Sequence, residues 1–201
     1  MTVLFFLHGG TTFARDDDFR SFLRSRPLSL RSPRRWSSLL SERFSSWVVV
    51  LPRLPCKERA SFDDWRLVFE RYVSLVPSGE PIVLVGHSLG ALFLVRFLSE
   101  VVLPSDRRVL ASFLVAPPFE ENGLSEELSG GFFVPDDLSL FGRQAGILHF
   151  FFSRDDPVVP FAHQEKFRSC LPSASFHTFS DAGHFLMEDF PLLFDLIRDL
   201  F

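Results

Sequence analysis

Gly86-His87-Ser88-Leu89-Gly90 constrains this chain more than any other stretch. It follows an unbroken apolar run, Pro81-Ile82-Val83-Leu84-Val85, and opens onto another, Ala91-Leu92-Phe93-Leu94-Val95. A G-x-S-x-G pattern by itself recurs often by chance. Placed between a strand-like and a helix-like run, it describes a sharp strand-to-helix turn. Gly86 and Gly90, two residues either side of the serine, let strand and helix pack closely around that turn. His87 is built into the same turn. The hydroxyl of Ser88 is then lifted above the sheet edge with a helix N-terminus beneath it, where free N–H groups favour negative charge. The bland alternative is an ordinary glycine-rich βα turn.

The remainder of the chain repeats the alternation. Short apolar runs at Val3–Leu7, Trp47–Leu51, Ile82–Val85, Val109–Val115, Ile147–Phe152 and Ser175–Phe179 read as six strands. Most are near-continuous in Val, Leu, Ile and Phe, as expected of a mostly parallel sheet covered on both faces. Many of the 26 phenylalanines fall in these runs. Between them, Trp36 to Phe44 and Phe62 to Val76 carry apolar residues at helical spacing, and a last helix follows Pro191. Ser61, with Asp64 three residues on, is a helix start signal. The section from Ala116 to Gly146 is dense in Pro and Gly and too long for a tight connection, so it reads as excursion rather than core. The expected organisation is one domain over 1–201 with a short lid-like excursion at about 117–145.

Composition excludes several classes. A formal net charge of −4 argues against a nucleic-acid binder, and no apolar run approaches a membrane span. The Arg/Ser-rich stretch 21–38 is the one biased segment, and its part from Arg24 to Arg35 reads as a solvated loop and helix start. Cys56 and Cys170 form neither a disulfide framework nor a metal-site pattern. The N-terminus runs straight into a strand without a signal-peptide pattern. A cytoplasmic protein without membrane partner is the expectation; the oligomeric state is not legible.

A serine hydroxyl needs a base. Of six histidines, His184 in Asp181-Ala182-Gly183-His184 falls on a loop after the last strand, at the same sheet edge as Ser88. His8 and His87 sit in glycine turns; His149 and His177 lie in strands and His163 on a helix. The base needs a carboxylate to hold its tautomer. Ser153-Arg154-Asp155-Asp156-Pro157 follows the fifth strand and offers two adjacent carboxylates. Asp156 with Val159-Pro160 resembles the D-x-x-V-P arrangement usual in serine hydrolases, a resemblance that implies Asp156 and leaves Asp155 as a turn or capping residue. The order Ser88, Asp156, His184 is that of a known hydrolase fold. The backbone N–H of Leu89 and one from His8-Gly9-Gly10, with Gly10 first and Thr11 next, are the candidate oxyanion donors.

With these residues in place the chain resembles the α/β-hydrolase superfamily. Within it, it resembles the small serine hydrolases typified by retinoblastoma-binding protein 9 and the bacterial YdeN-like proteins. His8-Gly9-Gly10, Leu51-Pro-Arg-Leu-Pro55, Phe62-Asp-Asp-Trp65, Gly86 to Gly90, Ala116-Pro-Pro118, Ser153 to Pro157 and Asp181 to Phe185 carry the resemblance across nearly the whole chain. It implies about six strands, no large cap domain, the triad Ser88, Asp156 and His184, no metal or cofactor, and small ester-like substrates. The Arg24 to Arg35 segment departs from that pattern. Leu54-Pro55-Cys56-Lys57-Glu58 also fits an L-x-C-x-E pattern, for which a plain loop is the favoured reading. The main functional expectation is a carboxylic-ester hydrolase. The alternatives are a binding or regulatory protein on the same scaffold, or thioester, amide or acyl-transfer chemistry at the same site. Phe132-Phe133 in the excursion suggests an apolar acyl pocket.

Overall fold

The computed structural model describes residues 1–31 and 33–201; Ser32, within the Arg/Ser-rich stretch, lies outside the described residues. Six strands form one sheet: β1 (Val3–Leu7), β2 (Val48–Val50), β3 (Pro81–His87), β4 (Arg108–Val115), β5 (Ile147–Ser153) and β6 (Ser175–Phe179). Their spatial order is β2-β1-β3-β4-β5-β6, and every neighbouring pair is parallel. All strand C-termini therefore share one edge, with β3 near its middle.

Alternation along the strands builds two cores. Phe5, Leu7, Leu84, Phe150 and Phe152 face α3 (Phe62–Ser74), α4 (Leu89–Glu100), α5 (Ser139–Gln144) and α6 (His163–Cys170). Leu4, Phe6, Val83, Val85, Phe113 and Phe151 face the other way. That side is covered by a 3-10 turn at Trp36–Leu39 that continues into α2 (Leu40–Arg43), and by α7 (Pro191–Arg198). The phenylalanines pack largely against one another in edge-to-face pairs, such as Phe5 with Phe69 at 5.5 Å and Phe69 with Phe97 at 5.1 Å. This geometry suits the aromatic quadrupole.

The helix over Phe62–Val76 forms as its pattern demands. Phe62, Trp65, Phe69 and Val73 are buried on one stripe, and the Ser61 side chain accepts the Asp64 N–H. The tight β3–α4 crossing explains the glycines. A Cβ on Gly90 would meet the carbonyl oxygens of Leu7 and His8 at 2.4 and 2.5 Å, and one on Gly86 would meet Ala91 Cα at 2.6 Å. Backbone lies against backbone there, so neither position admits a side chain.

Two expectations need correction. Arg24 and Ser25, at the head of the segment in which a helix start was read, instead end a helix α1 (Asp16–Ser25), and the helical stretch expected from Trp36 to Phe44 opens as a 3-10 turn before α2. α1 buries no residue against the core. Its apolar stripe is short, Phe19, Phe22 and Leu23, and Phe19 and Phe22 pack on Phe13 rather than into either core. Asp16, Asp17 and Asp18 at its start and Arg24 at its end stand in the sense the helix dipole favours. Second, the section from Ala116 to Gly146 is not all excursion. It contains α5, and Phe132, Leu138, Phe141 and Ala145 are buried in the first core.

Candidate active site

Ser88 occupies the junction of β3 and α4 at φ 54° and ψ −122°, a positive φ that a non-glycine residue rarely adopts. Its N–H donates to the Val115 carbonyl at 2.8 Å, and its own carbonyl accepts the Ala91 N–H at 2.9 Å. These bonds clamp the strained turn from both sides. The side chain borders a cavity of about 420 Å³ at the C-terminal edge of the sheet, together with His8, Gly9, Gly10, His87 and His184. This is the edge at which open α/β sheets bind ligands.

His184 stands on the loop between β6 and α7. Its Nδ1 lies 2.8 Å from Asp156 Oδ2 and 3.1 Å from Oδ1. The pair is shielded from water: the Asp156 side chain is 2% exposed and that of His184 10%. Asp156 Oδ1 also accepts the N–H groups of Val158 and Val159 at 2.8 and 3.0 Å, which fixes the carboxylate and leaves it acceptor-only toward Nδ1. With Nδ1–H given to the carboxylate, Nε2 is left as the ring's acceptor nitrogen, and His184 lines the cavity that Ser88 also borders. The hydrogen bonds of the site stop there: Ser88 Oγ has no hydrogen-bond partner among the described residues.

The neighbouring Asp155 does other work. Its Oδ1 accepts the Ser153 hydroxyl at 2.5 Å and the Gly183 N–H at 2.9 Å, while Ser153 Oγ accepts the Ala182 N–H at 2.9 Å. It is thus a latch between the β5 loop and the loop of His184, rather than a local turn residue alone. Phe185, buried at φ 53°, plugs that loop into the second core against Phe179 and Phe190. Its carbonyl accepts the Trp36 indole N–H at 2.9 Å.

Of the oxyanion candidates, Gly10 and Thr11 line the cavity of about 420 Å³, and Leu89 borders a small adjoining one of about 20 Å³ together with Gly10 and Ser88. Leu89 opens α4, so its N–H has no acceptor within the helix. Of the two loop candidates, Thr11 donates its N–H to the Lys57 carbonyl at 2.8 Å, which leaves Gly10. A Cβ on Gly10 would lie 2.5 Å from that same carbonyl, so the loop is pressed against its neighbour.

Sequence reading missed His87 as a structural partner of His184. Its Nε2–H donates to the His184 carbonyl at 2.9 Å, and the two rings stand 4.9 Å apart. Burial, reinforced by the charge of His184, pushes its pKa down from 6.5 to about 3, so the ring is neutral at any working pH. The other histidines lie outside the cavity, His8 excepted. His149 and His177 hydrogen-bond each other at 3.0 Å across β5 and β6, and His163 Nδ1 accepts the Phe119 N–H. Burial lowers the pKa of His8, His163 and His177, and that of His149 to about 4. Each of these bases gains a proton more readily in the unfolded chain. Stability is therefore complete above the unfolded value of 6.5 and lost as pH falls below it. His87 and His149, with folded-state pKa values of about 3 and about 4, are each expected to shift the folding equilibrium by up to roughly tenfold per pH unit as pH falls from about 6.5 toward 4. Urea midpoints across that window check this, and His87→Gln should flatten the slope.

The expected walls of the pocket move. Phe132 is buried against Trp65 at 5.3 Å and Phe133 lies over the Arg96 guanidinium. Neither borders the cavity, whose apolar walls are Phe6, Phe22, Trp36, Phe185 and Leu186. In the L-x-C-x-E stretch, Leu54 is buried, Cys56 is left-handed at φ 49° and Glu58 is ion-paired with Arg26, so the three side chains are not offered together. Among the described residues no helix is long and apolar enough to cross a membrane, and no group of three or more His, Cys, Asp or Glu could hold a metal.

Comparison with known proteins follows the same lines. The model of the serine hydrolase family matches residues 28–190. The ydeN gene product of B. subtilis superposes with a TM-score of 0.74 at 19% identity, covering 100% of this chain and 98% of that one. A yden-like hydrolase from Pectobacterium atrosepticum gives 0.64 at 21% identity, covering 99% and 89%. A lipase-esterase related protein from Clostridium acetobutylicum gives 0.61 at 10% identity, covering 100% and 94%. These likenesses establish the α/β-hydrolase fold, without a large cap domain.

Proposed function

The chain belongs to the serine hydrolase family, and we propose that it cleaves small carboxylic esters through an acyl-enzyme formed on Ser88. The observation that carries this is the pairing of His184 Nδ1 with the buried Asp156 carboxylate on the cavity that Ser88 borders. In this reading His184 Nε2 takes the Ser88 proton as Oγ attacks the ester carbonyl. The tetrahedral oxyanion is held by the N–H groups of Leu89 and Gly10. Collapse of the intermediate breaks the ester bond, and His184 returns the proton to the departing alcohol. Water, deprotonated by the same imidazole, then attacks the acyl group and frees Ser88.

The α4 N-terminus beneath Ser88 favours the developing negative charge, and the apolar walls favour substrates with a compact hydrocarbon part. No step calls for a metal or an organic cofactor. Stopped-flow hydrolysis of p-nitrophenyl esters graded by acyl length tests the proposal. A p-nitrophenolate burst equal to the enzyme concentration, with turnover favouring short to medium acyl chains, is the expected result. Folded protein that gives neither burst nor turnover with any of these esters contradicts it.

A further inference from the structure

We propose that Glu126 selects substrates carrying a positive charge, an alkylammonium or guanidinium group, close to the scissile bond. The proposal rests on the serine-hydrolase reading of Ser88 and deepens it by naming a substrate class. Glu126 lies between β4 and α5 and borders both cavities that flank Ser88. One is the cavity of about 420 Å³; the other, of about 20 Å³, also touches Gly10 and Leu89.

The other carboxylates around the site are already engaged. Asp156 accepts from His184, Asp155 from Ser153 and Gly183, Glu58 pairs with Arg26, and Glu127 accepts the Ala14 N–H. Among the described residues Glu126 has neither ion pair nor hydrogen bond. Its flanks are nevertheless tied down. Thr12 Oγ1 donates to the Glu127 carbonyl at 2.6 Å and accepts the Ser129 N–H at 2.8 Å. The loop that carries Gly10 therefore also fixes the backbone on which Glu126 stands.

Partial burial raises the Glu126 pKa, and a charged His184 pulls it back. A carboxylate that loses water without gaining a partner is the group that profits most from an incoming cation. Lys57 and Arg35 line the larger cavity, but neither borders the smaller one. Glu127 shares the smaller cavity but accepts the Ala14 N–H, so Glu126 is the unengaged carboxylate beside Ser88, Gly10 and Leu89. By surface area Glu126 remains exposed, so its loss of hydration is partial and a substrate can reach it.

The test compares second-order labelling rates of wild type and Glu126→Gln with two alkyl fluorophosphonates. One chain ends in trimethylammonium and the other in the neutral tert-butyl isostere. Wild type is expected to react roughly two- to fivefold faster with the cationic probe. In Glu126→Gln that ratio should fall to about one. The neutral probe should keep its rate or react faster, because a negative charge near the developing oxyanion has gone. A structural role alone would slow both probes together. Equal rates in wild type, or a cation preference that survives in Glu126→Gln, would overturn the proposal. Folded wild type that neither probe labels would instead overturn the reading of Ser88 on which it rests.

Discussion

His184→Ala is expected to lower kcat toward small esters by about 10⁴- to 10⁶-fold. A serine hydroxyl is a weak nucleophile until a base within reach removes its proton. The cavity offers no substitute. His87 Nε2–H is committed to the His184 carbonyl, its ring is neutral down to about pH 3, and it packs against the ring that would be lost. His8 Nδ1 lies 2.8 Å from the Gly9 carbonyl, and its pKa is lowered by burial. Steady-state kinetics with thermal unfolding as control checks this. The fold should survive, because the loop is anchored by Phe185 and by the Asp155 latch rather than by the imidazole. A variant within tenfold of wild type would remove His184 from the mechanism.

Asp156→Asn is expected to lower kcat by about 10⁴-fold with little change in KM. The amide keeps the size of the carboxylate and can still accept from the N–H groups of Val158 and Val159. What it loses is an acceptor-only face toward His184 Nδ1. An amide N–H turned to Nδ1 favours the tautomer with its proton on Nε2, which cannot act as base, and the imidazolium loses its counter-charge. Asp155→Asn is the contrasting variant. It weakens the latch to Gly183 and Ser153, at a cost of about 1 kcal/mol in stability, and lowers kcat far less. If the two variants exchanged these outcomes, the assignment of the adjacent aspartates would be reversed.

How far the sequence was legible follows from how local each signal is. Ser88, its glycines and the strand and helix around it lie within one βα unit, so pattern and packing demand coincide. The six strands were readable because each is an apolar run, and no boundary moved by more than two residues, the largest shift being the extension of β3 from Val85 to His87. α1 escaped because it packs nothing into the core. Phe132 misled because an aromatic pair in a Gly/Pro-rich segment looks like a pocket wall, whereas tertiary packing sends that side chain under Trp65.

The parts of the site that only folding reveals depend on contacts between distant residues. Trp36 reaches the Phe185 carbonyl across the chain, Thr12 ties the excursion down through Glu127 and Ser129, and Asp155 bridges two loops. None has a motif. Asp156 over Asp155 was readable only through its likeness to the D-x-x-V-P arrangement, and the physical reason is visible in the fold: Val158 and Val159 donate to one carboxylate oxygen, Oδ1, and so present the other, Oδ2, to His184 at 2.8 Å.

The most direct test of an activated nucleophile at Ser88 is labelling by a fluorophosphonate probe, read by intact mass and by peptide mapping. It needs no prior choice of substrate. Wild type is predicted to take up one probe per chain on the peptide containing Ser88, and folded Ser88→Ala none. Folded wild type that stays unlabelled, or label that persists in Ser88→Ala, would contradict the account.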